Sequence, residues 1–183
     1  MADPLPVPLP VPVPLAKVFI NQPASDLWGT PPSVKIALED RLGLKISEFD
    51  PCPYPLPEGY CGLSVDWGEA GDVIFVNPPF SKVDEFAKKG VEQAGKGRTV
   101  LMFVAARMDN KTWQYSLLPR ASEVLFMRSR VTFIDLAKRD LKYHARACFP
   151  SAIAVLEPWQ RNLTCHPWDW VADYKRLLKA QSG

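Results

Sequence analysis

The sequence of 183 residues lacks the features that are typical of membrane proteins, of secreted proteins and of strongly basic proteins that coat nucleic acid. No apolar run approaches the roughly 18 residues that cross a membrane, and the N-terminus lacks the charged start and continuous apolar core of a signal peptide. A net charge of +2 excludes a strongly basic coat for nucleic acid, although it allows a local basic patch. We therefore expect one globular domain without a membrane partner, located in the cytoplasm, or in the host cytoplasm if the protein is viral.

Metal-binding patterns are also scarce. None of the four cysteines belongs to a Cys-x-x-Cys pair: Cys52, Cys61, Cys148 and Cys165. The alternative is a zinc set that combines the last two with His144 and His166, but the adjacent ligands Cys165 and His166 do not easily face one metal. We predict no metal site and interpret the thiols as reduced and mostly buried.

The first fourteen residues, MADPLPVPLPVPVP, contain prolines at nearly alternate positions. Such a segment lacks amide donors at the prolines and favours an extended polyproline II form. We interpret residues 1–16 as a disordered or extended tail and residues 17–183 as a single domain. A groove of the SH3 or WW type is the kind of protein partner that such a tail can bind.

Beyond the tail, the pattern alternates between strands and helices. Predicted helices cover residues 34–42 (with Ser33 as N-cap and Gly43 at the C-terminal end), 83–93, 111–118 and 170–179. Predicted strands cover residues 44–49, 73–76, 99–104, 123–127, 131–134 and 152–156. The alternation predicts an α/β fold with a mostly parallel central sheet flanked by helices.

Four polar or proline-containing clusters follow predicted strands or short segments. They are Asp50-Pro51, Asp66-Trp67, Asn77-Pro78-Pro79-Phe80 and Arg107-Met108-Asp109. Ligands of parallel α/β sheets bind beyond the carboxyl ends of the strands. The clusters therefore predict one site at one edge of the sheet.

The third cluster has the chemistry to hold a flat base that carries an amino group. The lone pair of the exocyclic amine of adenine is drawn into the ring, so a methylating enzyme must accept both amino hydrogens to free it. The side-chain oxygen of Asn77 and the backbone carbonyl of Pro78 are the candidate acceptors, at about 3 Å from the nitrogen. Consecutive prolines hold the backbone in one shape, and Phe80 offers a stacking ring worth roughly 1–3 kcal/mol per base. The alternative is a rigid turn with a packed phenylalanine.

With these residues, the sequence resembles the amino-methyltransferases that use S-adenosylmethionine, whose signature is [Asp/Asn/Ser]-Pro-Pro-[Tyr/Phe]. More narrowly, it resembles the phage-type DNA N-6-adenine methyltransferase (Dam-like) family. The motifs of that family follow in order between residues 25 and 156: D-L-W-G-T-P at 26–31, F-D-P-C at 49–52, G-L-S-V-D-W at 62–67, N-P-P-F-S at 77–81, Arg107 with Asp109 and Trp113, and R-V-T-F at 130–133.

The resemblance implies a Rossmann-like methyltransferase fold, S-adenosylmethionine as the cofactor, and methylation of the 6-amino group of adenine in single- or double-stranded DNA. It places the target base at Asn77, Pro78, Pro79 and Phe80. It places cofactor contacts at Trp28, Thr30, Pro31, Asp50, Pro51 and Asp66. A carboxylate such as Asp50 at a strand end suits a ribose hydroxyl or the methionyl ammonium; its alternative is to cap the next turn.

Basic side chains are the candidates for nucleic-acid contacts. They are Arg107, Arg130, Lys138, Arg139 and Lys142. Structural ion pairs or a solvated face are the alternatives. Because no stretch remains for an extra recognition domain, we expect short or loose sequence specificity, unless a partner adds to it.

Two departures from the pattern of methyltransferases matter. The cofactor loop at residues 50–54 lacks the Gly-rich turn of many larger members, and Phe80 replaces the commoner tyrosine while keeping a stacking face. The alternative functions are methylation of RNA or of a protein glutamine amide, and a non-catalytic nucleic-acid-binding module. A peptide substrate would give little dependence on the basic residues, whereas nucleic acid would give a steep dependence on salt.

Overall fold

The computed structural model describes residues 26–54, 56–136, 144–159 and 162–182. The tail predicted at residues 1–16 lies outside these ranges, as do the candidate DNA contacts Lys138, Arg139 and Lys142. The assignment of residues 17–183 to a single domain stays a prediction.

Within these ranges the chain forms eight strands and three α-helices. The strands are β1 (Trp28–Gly29), β2 (Val73–Val76), β3 (Thr99–Ala105), β4 (Glu123–Met127), β5 (Thr132–Asp135), β6 (His144–Arg146), β7 (Ser151–Leu156) and β8 (Thr164–Trp168). The α-helices are α1 (Pro32–Leu42), α2 (Val83–Gly95) and α3 (Trp170–Gln181), joined by a 3₁₀-helix (Phe80–Lys82) and a π-helix (Thr112–Leu117).

The larger sheet has the strand order β2-β3-β7-β4-β8. β2 runs parallel to β3 and β4 runs parallel to β8, whereas β7 is antiparallel to both β3 and β4. The α/β class is confirmed, and the sheet is mixed rather than mostly parallel. The strand directions follow from the connections. The helix α2 joins β2 to β3, which lets the two strands run parallel. A parallel arrangement of β4 and β7 would also need a crossover helix, but the strands β5 and β6 lie between them in the chain.

Apolar side chains cover both faces of the larger sheet, since successive residues of a strand point to opposite sides. One face carries Phe75, Leu101 and Phe103, which pack against α1 and β5. The other carries Ile74 and Met102, which pack against α2 and the π-helix. Every residue of β2 and β7 is buried, so the sheet forms a rigid layer from which the loops at its ends project.

A smaller antiparallel sheet has the order β1-β5-β6. Its register pairs Trp28 with Asp135 and Gly29 with Ile134. A Cβ atom on Gly29 would lie 2.9 Å from Cδ2 of Leu136, so the pairing leaves little room for a side chain. The sheet therefore brings the motif at residues 26–31 beside the motif at residues 130–133.

Several local predictions need correction. Residues 44–49 form no strand; the backbone N–H of Ser47 donates to the carbonyl of Val73 at 2.8 Å without a ladder. Ser33 does not cap α1, because Pro31 occupies the N-cap position and a proline opens the helix. Gly43 ends α1 as predicted, with a φ of 64° that glycine adopts without strain. The other predicted strands and helices are confirmed with ends shifted by up to two residues.

Candidate active site at the Asn-Pro-Pro-Phe corner

The Asn-Pro-Pro-Phe corner begins where the buried strand β2 ends and leads through the 3₁₀-helix into α2. The carbonyl of Pro79 accepts a hydrogen bond from the N–H of Lys82 at 2.9 Å, so the carbonyl of Pro78 is the one left to face a ligand. Ser81 is held from the other side by Asp26, to which it donates from N–H at 3.1 Å and from Oγ at 2.5 Å. The corner is thus fixed to the motif at residues 26–31.

The orientation of the Asn77 amide follows from a single backbone contact. Its Nδ2 donates to the carbonyl oxygen of Trp28 at 2.7 Å. A carbonyl only accepts, so the amide must present its nitrogen to Trp28 and its oxygen to the opposite side. Among the described residues no donor contacts Oδ1 of Asn77, which leaves a fixed acceptor of the kind that an amino group requires.

A first cavity of about 530 Å³ opens beside Asn77, Pro78 and Phe80. Five aromatic side chains line it: Phe80, Phe103, Trp113, Phe133 and Phe149. The ring of Phe80 is 40% exposed and meets Phe149 edge-on, with centroids 5.3 Å apart. Phe103 and Phe133 stack at 5.5 Å. The volume and the aromatic walls suit a flat ring, and the exposed Arg107 stands at the same cavity.

A second cavity of about 610 Å³ lies on the other side of Asn77. Four of the predicted cofactor contacts line it: Trp28, Thr30, Asp50 and Pro51. Pro79 lines this cavity rather than the first, and Asn77 and Ser81 line both. The corner therefore forms the partition between two cavities that share Asn77 and Ser81.

Backbone packing shapes the loop at residues 50–54. Oδ1 of Asp50 accepts a hydrogen bond from the N–H of Cys52 at 2.8 Å. One of the two carboxylate oxygens of Asp50 therefore caps the turn that follows it. Gly62 packs against this loop so closely that a Cβ atom would lie 2.0 Å from the carbonyl oxygen of Pro51. The Nε1–H of Trp67 donates to the carbonyl of Gly62 at 2.7 Å and holds it there. A glycine at position 62 is therefore required for the close packing of the two loops.

Three buried hydroxyl oxygens have no hydrogen-bond partner in the described part of the chain: Thr30 Oγ1, Tyr60 OH and Ser151 Oγ. Thr30 and Tyr60 line the second cavity and Ser151 lines the first. A buried polar group without a partner costs about 1–3 kcal/mol. Burial raises the pKa of the Tyr60 hydroxyl, and nearby Cys52 and Asp50 add to the effect, so the group stays a donor at neutral pH. All three atoms are suited to ligands in the two cavities.

The remaining predicted site residues in the described chain lie outside both cavities. Pro31 caps α1. Asp66 is exposed and accepts from Nζ of Lys96 at 2.7 Å and from Nε2 of Gln93 at 2.9 Å; these hydrogen bonds, that from Lys96 first, lower its pKa to about 2. Arg130 donates from Nη1 to the carbonyl of Ala147 at 3.2 Å. The structure does not bring these three residues together with the corner.

The lining residues that sequence reasoning missed include Lys35, Tyr60 and Ser151. Nζ of Lys35 lies 4.8 Å from the ring centroid of Phe75, a cation–π contact that directs the ammonium group into the second cavity wall. A lysine one turn into the helix that follows the motif at residues 26–31 was the available signal. Tyr60 and Ser151 had none, since each stands in an ordinary loop or strand context.

The four cysteines are free, with Cys52 partly buried and Cys61, Cys148 and Cys165 exposed, so the expectation of mostly buried thiols is wrong. Burial, with the charge of Asp50, raises the pKa of the Cys52 thiol. In the described part of the chain, no group of three or more acidic, cysteine or histidine residues is placed to hold a metal. Nor is any helix there long and apolar enough to cross a membrane.

Comparison with known proteins bears on this arrangement. The model of the DNA N-6-adenine-methyltransferase (Dam) family matches residues 19–171. A DNA N-6-adenine-methyltransferase of Escherichia phage T1 is 31% identical over 114 residues, which cover 58% of this chain and 47% of the phage protein. The chain thus spans about half the length of that relative. The family match includes the corner and every described residue that lines the two cavities, and the chain belongs to the DNA N-6-adenine-methyltransferase (Dam) family.

Proposed function

We propose that the protein transfers a methyl group from S-adenosylmethionine to the 6-amino group of adenine in DNA. The observation that carries the proposal is that two cavities meet at Asn77, whose Oδ1 is fixed and has no donor among the described residues. Membership of the family supports it. The mixed sheet is interpreted as a Rossmann-like methyltransferase fold in which β7 is reversed.

The first cavity would hold the base. Its ring would stack on the exposed face of Phe80, and its amine would donate to Oδ1 of Asn77 and to the carbonyl of Pro78. These two acceptors draw the amino hydrogens away from the ring plane, so the nitrogen lone pair becomes available for a bond to carbon. One of these hydrogen bonds holds the proton that the nitrogen gives up on methylation, which then passes to water.

The second cavity would hold the cofactor, and its residues fit the group. When bound, S-adenosylmethionine supplies an electrophilic methyl on a sulfonium sulfur. Its carboxylate suits the ammonium of Lys35, and its ammonium or ribose suits the remaining oxygen of Asp50. The unpartnered hydroxyls of Thr30 and Tyr60 supply further donors and acceptors. Asn77 lines both cavities, so it aligns the amine with the cofactor side, where positioning contributes much of the rate.

DNA would reach the first cavity by extrusion of the target base from the stack. Unpairing costs energy in a duplex, so we propose that single-stranded DNA reacts more readily than double-stranded DNA. Arg107, exposed beside the cavity, is the proposed phosphate contact. In the described chain, Arg107 and Asp84 are the charged residues that line this cavity. Few groups are therefore available to read neighbouring bases, which favours short or loose specificity.

The experiment is transfer of labelled methyl from S-adenosylmethionine to unmodified single- and double-stranded DNA, with RNA and a glutamine-containing peptide in parallel. The expected product is DNA that digests to 6-methylated adenosine. Asn77→Ala should abolish the label, and Asn162→Ala, at an exposed asparagine outside both cavities, should not.

Each other outcome contradicts a defined part of the proposal. Label in RNA or peptide alone would show that the methyl acceptor is not DNA, whereas the assignment of S-adenosylmethionine as the methyl donor would stand. An absence of label in every substrate, together with no calorimetric binding of S-adenosylmethionine, would leave a non-catalytic module.

A further inference from the structure

The side chain of Ser151 has a position that the methylation chemistry does not explain. The residue is 2% exposed and its Oγ has no partner among the described residues, yet it lines the aromatic first cavity. A buried hydroxyl normally finds a hydrogen bond, and the exceptions call for an explanation. A ligand in the cavity would supply the missing partner.

The register of the larger sheet gives the separation of Ser151 from the corner. Val76 pairs with Met102, so position 77 aligns with Phe103, and Phe103 pairs with Ile153, two residues from Ser151. Two strand spacings of about 4.8 Å and two residues of about 3.3 Å place the Cα atoms of Asn77 and Ser151 roughly 12 Å apart. Side chains that share a face stand roughly perpendicular to the sheet, so the two polar groups stay near this separation and leave room for a purine with a hydrogen bond at each side.

Ser151 also faces the side of the sheet on which a base would lie. Cross-strand partners share a face, and residues two apart on one strand share it as well. Ser151 is therefore on the face of Ile153 and Phe103, and Phe103 stacks on Phe133 within the cavity. The hydroxyl consequently stands at the edge of an aromatic surface rather than beneath it.

Adenine and cytosine both carry an exocyclic amine next to a ring nitrogen, so the acceptors Asn77 and Pro78 cannot separate them. A polar group placed further from the corner can, because a pyrimidine does not reach as far as a purine. A site built to hydrogen-bond a substrate discriminates strongly against one that leaves its buried polar group unpaired.

We propose that the hydroxyl of Ser151 donates a hydrogen bond to N3 or N7 of the target adenine, which cytosine lacks at those positions, and makes the first cavity select adenine over cytosine. The proposal rests on the proposed function, because it assumes that a base enters this cavity. It adds the residue that reads the ring of that base to the two acceptors that hold its amine.

The first test compares methyl transfer with thermal stability. Ser151→Ala should lower kcat/KM for adenine in single-stranded DNA about tenfold, the effect of one hydrogen bond, and lower the preference for adenine over cytosine by a similar factor. The thermal midpoint should stay unchanged or rise, because the change removes a hydroxyl that has no partner in the free protein. The matched control is Ser122→Ala, at a buried serine whose Oγ donates to the carbonyl of Val155 at 3.3 Å. The control should lower the midpoint and leave transfer unchanged.

The second test identifies the ring nitrogen. Oligonucleotides with 1-deaza-, 3-deaza- or 7-deazaadenine at the target each lack one acceptor. A loss confined to the 1-deaza analogue would contradict the selection of adenine, because cytosine has a ring nitrogen at the equivalent position. With the wild-type protein, either the 3-deaza or the 7-deaza analogue should lose about tenfold in kcat/KM, and in affinity measured by fluorescence anisotropy with S-adenosylhomocysteine present. With Ser151→Ala, that analogue should react and bind like the adenine oligonucleotide.

Two results would overturn the proposal while leaving the proposed function intact. One is an equal loss for wild type and Ser151→Ala with every deaza analogue. The other is a fall in thermal midpoint together with activity in Ser151→Ala, as for a packing defect. A wild-type protein that transfers no methyl to DNA would overturn the proposed function first and this inference with it.

Discussion

The two cavities that meet at Asn77 are similar in volume, about 530 and 610 Å³, and differ in the charge of their walls. The first is lined by five aromatic rings and by two charged side chains, Asp84 and Arg107. The second is also lined by five aromatic rings, and by two carboxylates and two ammonium groups: Asp26, Asp50, Lys35 and Lys82. Aromatic walls favour a flat ring in both cavities, and the additional charges of the second favour a zwitterion, so the two cavities are suited to different ligands.

The change expected to have the largest effect removes the stacking face of the first cavity. Phe80→Ala should raise KM for DNA roughly 5- to 150-fold, which corresponds to a loss of about 1–3 kcal/mol of stacking. Affinity for S-adenosylhomocysteine, measured by calorimetry, should stay unchanged, because Phe80 does not line the second cavity. Phe80→Tyr keeps the ring face and should behave like the wild type. An equal loss of cofactor affinity in Phe80→Ala would show that the two cavities are not separate sites.

The next change tests the charge of the second cavity. Lys35→Met keeps the length of the side chain and removes its ammonium, and it should weaken S-adenosylhomocysteine about tenfold. Affinity for 5′-methylthioadenosine, which lacks the carboxylate, should not change. Calorimetry of both ligands on Lys35→Met and on Lys179→Met, at an exposed lysine outside the cavities, checks the assignment. Equal losses for the two ligands would contradict the pairing of Lys35 with a carboxylate.

Thiol labelling distinguishes the cavities without any turnover. Cys61 lines the second cavity, Cys148 lines the first, and Cys165 lines neither, while all three are exposed. S-adenosylhomocysteine should slow the labelling of Cys61 several-fold, and single-stranded DNA should slow that of Cys148, with Cys165 as the internal reference. Cys52 should react most slowly at neutral pH, since its raised pKa keeps it a thiol. Mass spectrometry of the labelled peptides measures all four rates. Protection of Cys148 by S-adenosylhomocysteine and of Cys61 by DNA would reverse the assignment of the cavities.

The smallest effect is expected at Asp66. Asp66→Asn should leave the affinity for S-adenosylhomocysteine unchanged, because the carboxylate lies outside both cavities and pairs with Lys96. The folded-state pKa of Asp66 is lowered, so its contribution to stability is present above the ordinary carboxyl pKa and is lost as pH falls toward about 2. Thermal midpoints of wild type and variant should therefore differ slightly at pH 7 and converge near pH 2. A marked loss of cofactor affinity would restore the sequence-based assignment of Asp66 to the cofactor.

The sequence predicted the corner correctly because its evidence is local. A fully apolar run of four residues followed by Asn-Pro-Pro must leave the sheet at that point, and β2 ends at Val76. The strand directions required information that is not local: β7 is antiparallel because β5 and β6 precede it. The strand β8 contains Pro167, which argues against a central strand but is tolerated at the sheet edge where it lies.

The candidate site was only partly predictable for the same reason. Trp28, Thr30 and Asp50 were assigned through motifs, and all three line one cavity. Ser151 was not, because a serine at the start of a buried strand carries no signal until the register places it in a cavity. Asp66 is the opposite case. It belongs to the motif at residues 62–67, but in the folded chain its carboxylate contacts Lys96 and lies outside the cavity.

The hydrogen bond from Asn77 to Trp28 has a consequence for how freely the sequence can vary. The acceptor is a main-chain carbonyl, so no substitution of the Trp28 side chain removes it. What the amide depends on instead is the pairing of β1 with β5, which fixes that carbonyl in space. Substitutions at residues 28 and 135 therefore leave this hydrogen bond in place as long as the two short strands stay in register. A one-residue slip between the strands would move the carbonyl that orients the Asn77 amide without altering any residue of the corner itself.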